Sequence, residues 1–277
     1  MRVLLANDDG VHAQGLAAAR EALLEAGASV FTVAPDAPRS GTGRSASFRA
    51  PVALTRHGGT DQNPIYVANG TPTDSVRAAI LSGEAGHIDA VVSGINEGAN
   101  LGDDATYSST LGAAIEGALL GFPSIAASQQ TRDGRFRLID LTGYDFDAGA
   151  RLLAVLVQLM IEERQNLPPR SVLNLNSPGK PATELRLAHF DERHWGPESI
   201  YPVPAGGGNM GYLLFGTHPE RDPVFRMMPG SDAWALAQGF ASVTPMNFKW
   251  SSAIGRRGLQ RWTRAAVARV NHELFGG

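Results

Sequence analysis

The sequence predicts an α/β fold on a parallel sheet, with helices on both faces and an irregular, β-rich carboxyl-terminal arm. Three observations lead there. Short apolar runs alternate with helical spacing through the first two-thirds of the chain, as in successive β-α-β units. The runs are apolar at consecutive positions, as in strands covered on both faces. Polar clusters follow the runs, at the edge where open α/β sheets take their ligands.

The strand-like runs are residues 3–6, 30–34, 90–93, 125–127 and 172–175. Between the first two, Leu16, Ala19, Leu23 and Leu24 share a helical face, and Gly27 supplies the stop. Leu111, Ile115, Ala118, Leu119 and Phe122 make a second stripe, closed by Gly121 and Pro123. A third helix, rich in Leu and Val, covers 146–161 and ends before Pro168-Pro169. Right-handed crossovers place such helices on both sides of the sheet. Pro and Gly then become frequent, and 177–230 shows only short strand-like pieces at 185–190 and 212–215, with Gly206-Gly207-Gly208 marking a turn or mobile loop. Regular patterning returns at 233–243. The chain closes on a helix with Leu259, Trp262, Ala266, Val270 and Leu274 on one stripe and Arg257, Arg261 and Arg264 on its solvated side. The expected organisation is a catalytic core over 1–176, an extended arm used for oligomerisation over 177–230, and a returning strand and helix over 231–277.

Composition narrows the function. The 277 residues are 43% hydrophobic and 18% charged, ordinary for a globular protein. With 24 Lys and Arg against 27 Asp and Glu, the net charge of -3 gives no basic excess for a nucleic acid polymer, while small anionic ligands stay open. The absence of cysteine excludes disulfides, thiolate zinc sites and a cysteine nucleophile. The first apolar run is too short for a signal peptide, and no run is long enough to cross a bilayer. A cytoplasmic protein without a membrane partner is expected.

Chemistry concentrates after the first run, in Asn7-Asp8-Asp9-Gly10. Adjacent carboxylates disfavour each other's ionisation unless a cation neutralises them. A hard divalent ion such as Mg²⁺ or Mn²⁺ does so with oxygen ligands and a substrate phosphate. The plain alternative is a turn in which one Asp caps and the other meets water. The second run is followed by a loop rich in hydroxyls, glycine and arginine, residues 35–45, and the third by Gly94-Ile95-Asn96-Glu97-Gly98 and onward to Asp103-Asp104. Because parallel strands all point one way, Asp8, Asp9, Ser40 and Asn96 are expected to meet at one edge. Tyr107-Ser108-Ser109-Thr110-Leu111 opens a helix, whose free N–H groups and hydroxyls suit phosphate, although Ser and Thr also favour helix starts with no ligand. His12 lies near the acidic pair, where a lone histidine is more commonly a surface or hydrogen-bonding residue. No Walker A loop, dinucleotide G-x-G-x-x-G, H-E-x-x-H or G-x-S-x-G appears in the required context, which disfavours a serine-triad hydrolase.

Together these motifs resemble the SurE (survival protein E) nucleotidases. The resemblance is carried by residues 7–13, 33–36 and 40–41, by Gly70-Thr71-Pro72-Thr73-Asp74-Ser75, by 92–96 with 100–104, and by Tyr107-Ser108, Thr110 and 112–114. It continues in Leu173-Asn174-Leu175-Asn176 and in 239–246. It implies a Rossmann-like core and metal-dependent hydrolysis of nucleoside 5′- and 3′-monophosphates, with short polyphosphates as further substrates. It implies one divalent cation on Asp8, Asp9, Ser40 and Asn96, with Asp8, Asp9 and Asn96 catalytic and Asn96, Ser108, Ser109 and Thr110 at the phosphate. A homodimer or homotetramer built by exchange of the carboxyl-terminal arm is implied as well. The chain departs from the family at two places. Ser109 stands where glycine is usual, and Gly43-Arg44 replaces a small polar pair, adding a guanidinium that meets either the phosphate or water. A non-catalytic nucleotide-binding module of the same fold is the alternative. A phosphoacceptor receiver domain and a haloacid dehalogenase-type phosphatase fit less well, since the first needs an Asp after the third strand and a later Lys, and the second a D-x-D motif.

Overall fold

Val3 and Leu5 pack on one side of the first strand, and Leu4 and Ala6 on the other. With period two, a strand apolar at four consecutive positions must be covered twice. The computed structural model, which describes residues 1–136, 143–214 and 222–248, shows this. Strand β1 (Arg2–Ala6) is followed by α1 (Gln14–Glu25), β2 (Ser29–Pro35), β3 (Leu54–Gly59), β4 (Pro64–Ala68), α2 (Pro72–Leu81) and β5 (Ala90–Glu97). Then come α3 (Ser109–Leu119), β6 (Ser124–Gln129), α4 (Asp147–Glu162) and β7 (Ser171–Ser177). The last described elements are β8 (Leu185–Leu187), β9 (Tyr201–Pro204), β10 (Met210–Leu213), α5 (Asp232–Ala237) and β11 (Ala241–Asn247).

The main sheet runs β3-β4-β2-β1-β5-β6-β7-β11-β8. From β4 to β7 every pairing is parallel. Helices α1 and α4 lie on one face, where Leu16, Leu23, Leu153 and Val157 join Val3, Leu5 and Val92. Helices α2 and α3 lie on the other, where Val76, Ala79 and Ala113 meet Leu4, Phe31, Val33 and Val91. The fold class expected from the sequence is therefore present. Residues up to Asn247 form one compact unit.

Several elements escaped the pattern. Strand β3 pairs antiparallel with β4 at the edge of the sheet, and its polar sequence LTRHGG is largely exposed. Helix α2 has a short, weakly apolar stripe, but its start is strongly specified. Thr71 caps it by accepting the Asp74 N–H, Asp74 reaches back to the Thr71 N–H, and Pro72 takes the first turn. Helix α3 was expected to be one-sided, yet it is buried from Ser109 through Ala114 and again from Glu116 through Ala118. Gly117 explains how close it lies, because a Cβ there would stand 2.6 Å from Val91 Cβ.

The sheet continues beyond residue 176. Strand β11 returns antiparallel to β7, and β8 adds to its far side. In the intervening segment β9 and β10 form a separate hairpin around Gly206-Gly207-Gly208, all at positive φ, a conformation glycine adopts without strain. The expected closing helix with Leu259, Trp262 and Arg261 lies outside the described residues. Among the described residues, no helix is long and apolar enough to cross a membrane.

Candidate metal and phosphate site

The chain turns back on itself at β1: β2 and β4 lie to one side, and β5, β6 and β7 to the other. Such a switch point opens a crevice at the carboxyl ends of the two central strands. Asn7, fully buried, shapes the turn leaving β1: its amide donates to the Gly10 carbonyl at 3.0 Å and its Oδ1 accepts the Gly10 N–H at 3.3 Å. Asp8 and Asp9 are thereby held at the end of β1, Asp8 buried and Asp9 half-buried.

One hydroxyl joins the elements across the switch point. Thr110 Oγ1 donates to Asp8 Oδ1 at 2.5 Å and stands 3.0 Å from Asn96 Oδ1, while the Asn96 amide donates to the Gly98 carbonyl at 2.7 Å. Asp9 Oδ2 accepts the Glu97 N–H at 3.2 Å, tying the two strand ends a second time. Ser40 sits on the exposed loop after β2, and with Asp9, His12, Asp36 and Glu97 it lines an open cleft of about 470 Å³. The structure thus brings Asp8 and Asn96 together on the Thr110 hydroxyl, ties Asp9 to the Glu97 N–H at the end of the neighbouring strand, and puts Ser40 and Asp9 on the lining of one cleft.

Electrostatics explain what this arrangement needs. Burial pushes the Asp8 carboxyl above the ordinary range, with the Thr110 hydrogen bond pulling the other way. Burial, then the negative charge of Asp8, pushes Asp9 up to about 7; the hydrogen bond from the Glu97 N–H pulls it back, and the Glu97 charge adds a smaller push. Among the described residues, no basic side chain is among the causes of either shift. Two adjacent acids, one buried and one half-buried, both raised by burial, fit a bound cation, whose charge reverses the local preference for protons. Among the described residues no three His, Cys, Asp or Glu side chains cluster as metal ligands. The donor set here is instead two carboxylates with a hydroxyl and an amide oxygen, suited to a hard ion.

The helix start is divided in its duties. Ser108 caps α3 by accepting the Leu111 N–H at 3.1 Å. The Ser109 hydroxyl faces the loop after β2, donating to the Arg39 carbonyl and accepting from Thr42 N–H, both at 3.0 Å. The Thr110 hydroxyl is engaged with Asp8 and Asn96. Ser109 and Thr110 lie in the first turn of α3, where backbone N–H groups have no carbonyl partner within the helix. The Ser109 and Thr110 hydroxyls thus point to the loop after β2 and to the candidate ligands Asp8 and Asn96.

Sequence reasoning gave no site role to Glu97, which follows Asn96 directly and lines the cleft. It also overlooked Tyr144, whose phenol is pushed up by burial and then by the charges of Glu97 and Asp9. Adjacency to Asn96 was the available signal for Glu97; no local pattern marks Tyr144. His12 lies on the rim, its ring edge-on to His57 at 5.2 Å between centroids.

This order of motifs along an α/β chain has known counterparts. The family model for survival protein SurE matches residues 3–197. The chain belongs to the SurE family. A SurE relative from Rubrobacter xylanophilus, named 5′-nucleotidase SurE, is 38% identical over 271 residues, spanning 95% of this chain and 97% of its own. A second SurE protein of that name, from Aeromonas hydrophila, is 38% identical over 267 residues, with 95% of this chain and 98% of its own covered. The crystal structure of the SurE protein from Aquifex aeolicus superposes with a TM-score of 0.73 at 32% identity, across 95% of this chain and all of that one (100%).

Proposed function

We propose that this protein is a metal-dependent phosphomonoesterase that hydrolyses nucleoside 5′-monophosphates, and 3′-monophosphates as a secondary class, to nucleoside and phosphate. The observation that carries the reading is the hydrogen-bonded set of Asp8, Thr110 and Asn96 at the switch point, beside the first turn of α3. The nucleotidase names of the SurE relatives support it.

Asp8, Asp9, Ser40 and Asn96 would hold one divalent cation, Mg²⁺ or Mn²⁺. When bound, such an ion supplies Lewis-acid stabilisation of the charge that grows on phosphoryl oxygens. The protein's own groups do the rest. The N–H groups of Ser109 and Thr110, with the positive end of α3, would bind oxygens of the substrate phosphate. Ser108 holds the helix start in shape through its cap, and Asn96 would serve both the ion and the phosphate. Thr110 keeps Asp8 and Asn96 at a fixed separation, so the set is organised before substrate arrives. A homodimer or homotetramer formed through residues 177–230 is part of the same reading. It is supported by the exposed apolar side chains Tyr201, Met210, Tyr212 and Leu213 on the β9–β10 hairpin, and light scattering after size exclusion measures it directly.

The test of function is phosphate release from AMP with Mg²⁺ or Mn²⁺, by the wild type and by Asp9→Ala. Loss of a ligand removes at least about 3 kcal/mol of transition-state stabilisation, so the variant is expected to be slower by roughly 100-fold or more. Full activity in Asp9→Ala after chelation and metal replacement contradicts the site. Tight AMP binding without any phosphate release identifies a binding module instead.

A further inference from the structure

Three contacts staple the loop after β2 along a single stripe of α3. Ser109, Gly112 and Glu116 are spaced i, i+3 and i+7, which stacks them on one face of a helix. At the first, Ser109 Oγ donates to the Arg39 carbonyl, accepts the Thr42 N–H at 3.0 Å, and lies 2.9 Å from Thr42 Oγ1. At the second, backbone meets backbone: a Cβ on Gly112 would stand 2.5 Å from the Gly43 carbonyl oxygen. At the third, the Glu116 carboxylate, fully buried, receives the Arg44 guanidinium at 2.9 Å and that of Arg77 at 2.5 Å.

Ser40 lies inside the stapled stretch, one residue after Arg39, whose N–H donates to the Asp8 carbonyl at 2.7 Å. The loop has reason to need anchoring. Gly41 and Gly43 both sit at positive φ and have many conformations to lose when it orders. Arg77 comes from α2 and already brings a positive charge to buried Glu116, so charge balance does not explain the second guanidinium. Arg44 comes from the loop itself, and its bond to Glu116 joins that loop to the helix that opens with Ser109 and Thr110. The sequence offered phosphate or water as partners for Arg44; the structure shows a third, a buried carboxylate.

We propose that Arg44 and Ser109 are positioning residues that together hold the Ser40 hydroxyl against the Asp8–Asp9 pair. The two places where this chain departs from the SurE pattern then form one device: the hydroxyl at 109 grips the start of the loop and the guanidinium at 44 grips its end. The inference rests on the reading of the site as a cation site. It predicts that loosening either grip weakens ion binding, and that loosening the Arg44 grip leaves turnover by the loaded enzyme close to intact.

The experiment measures Mn²⁺ binding to the purified full chain by the loss of the free-ion paramagnetic resonance signal. The proteins are wild type, Arg44→Ala, Ser109→Ala, Arg77→Ala and Asp9→Ala, with kcat and half-saturating Mn²⁺ recorded alongside. Groups that orient metal ligands from behind are worth about 10- to 100-fold in affinity. Arg44→Ala and Ser109→Ala are therefore each expected to raise the Mn²⁺ dissociation constant about tenfold, and for Arg44→Ala, which touches no proposed substrate group, kcat at saturating Mn²⁺ is expected within about twofold of wild type. Arg77→Ala, which spares the loop, is expected to bind as wild type. Unchanged binding in Arg44→Ala and Ser109→Ala, while Asp9→Ala loses the ion, overturns the positioning role and leaves the site standing. Equal weakening by Arg77→Ala and Arg44→Ala overturns it too, since the effect then belongs to Glu116 and its charge. Mn²⁺ binding that is absent from the wild type, or unaffected by Asp9→Ala, removes the cation site and this inference with it.

Discussion

The loop after β2 and the loop after β5 border the same crevice, but the first is fastened through half-exposed or exposed side chains of its own and the second through buried ones. In the first, Arg44 is 40% exposed at its side chain, and Ser47 reaches the Asp74 carboxylate through its N–H (2.9 Å) and hydroxyl (2.8 Å). In the second, Asn100 is held on three sides. Its N–H donates to Asn176 Oδ1 at 2.9 Å, its carbonyl accepts from Asn174 and Asn176, and its amide donates to Ser128 Oγ at 2.8 Å. Farther along, Gly102 N–H donates to Asp232 at 3.0 Å, and Asp104 pairs with Arg193, whose guanidinium lies over Phe225 and Trp195. Anchors of the second kind are formed as the core forms, so their loss is felt as stability. Anchors of the first kind order one loop, so their loss is felt at the site.

The largest effect is expected at Asp104. Truncation to Ala leaves the Arg193 guanidinium, 1% exposed, without that carboxylate, and breaking such a buried pair costs on the order of 3 kcal/mol. Urea unfolding of Asp104→Ala measures it, and a loss under about 1 kcal/mol would erase the contrast between the loops. Next is Asn176→Ala, which strips partners from the Asn100 backbone in a fully buried setting and is expected to cost about 1–3 kcal/mol in the same assay.

The two loops also differ in sign toward pH. Burial outweighs the attraction of Arg193 and raises Asp104 to about 6, above the ordinary value of ~3.9. A group raised on folding contributes stability that is complete below ~3.9 and is lost as pH rises through the folded value. Asp74 goes the other way. Burial raises it, but the hydrogen bonds from Ser47 and Thr71 outweigh burial and hold it below the ordinary range. Its contribution is present above ~3.9 and disappears as pH falls through the lower folded value. Thermal unfolding from pH 3 to 8 is expected to show Asp104→Asn losing the wild-type gain on acidification from about 6 to about 4. Asp74→Asn should lose stability at neutral pH and converge on wild type in acid. Curves that shift in the same direction would show that burial does not separate the loops.

The smallest effect on stability is expected for Arg44→Ala, under about 1 kcal/mol, because a half-exposed guanidinium is screened and its partner keeps Arg77. A larger loss by calorimetry would place the outer loop among the structural anchors.

How far the sequence was legible follows from where the relevant physics is local. Strands β1, β2, β5, β6 and β7 could be read because burial on both faces writes a continuous apolar run. The convergence of Asp8, Asp9 and Asn96 could be read because parallel strands share a direction. Strand β3 could not, since an exposed edge strand such as LTRHGG needs no apolar signature. Helix α2 was legible in principle from Thr71, Pro72 and Asp74, a capping signal with its own mechanism. The partner of the Ser109 hydroxyl was beyond reach, because it depends on where a loop 67 residues away comes to rest. The same holds for Arg44 and Glu116, 72 residues apart.

The Thr110 hydroxyl bridges two strands that enter the chain far apart: its partner Asp8 is 102 residues upstream. A nascent chain that has not yet presented residue 110 therefore owns the carboxylates but lacks the crosspiece that spaces them. On the proposed reading, capture of the ion would be coupled to closure of this long-range contact, and non-local contacts of this kind form slowly.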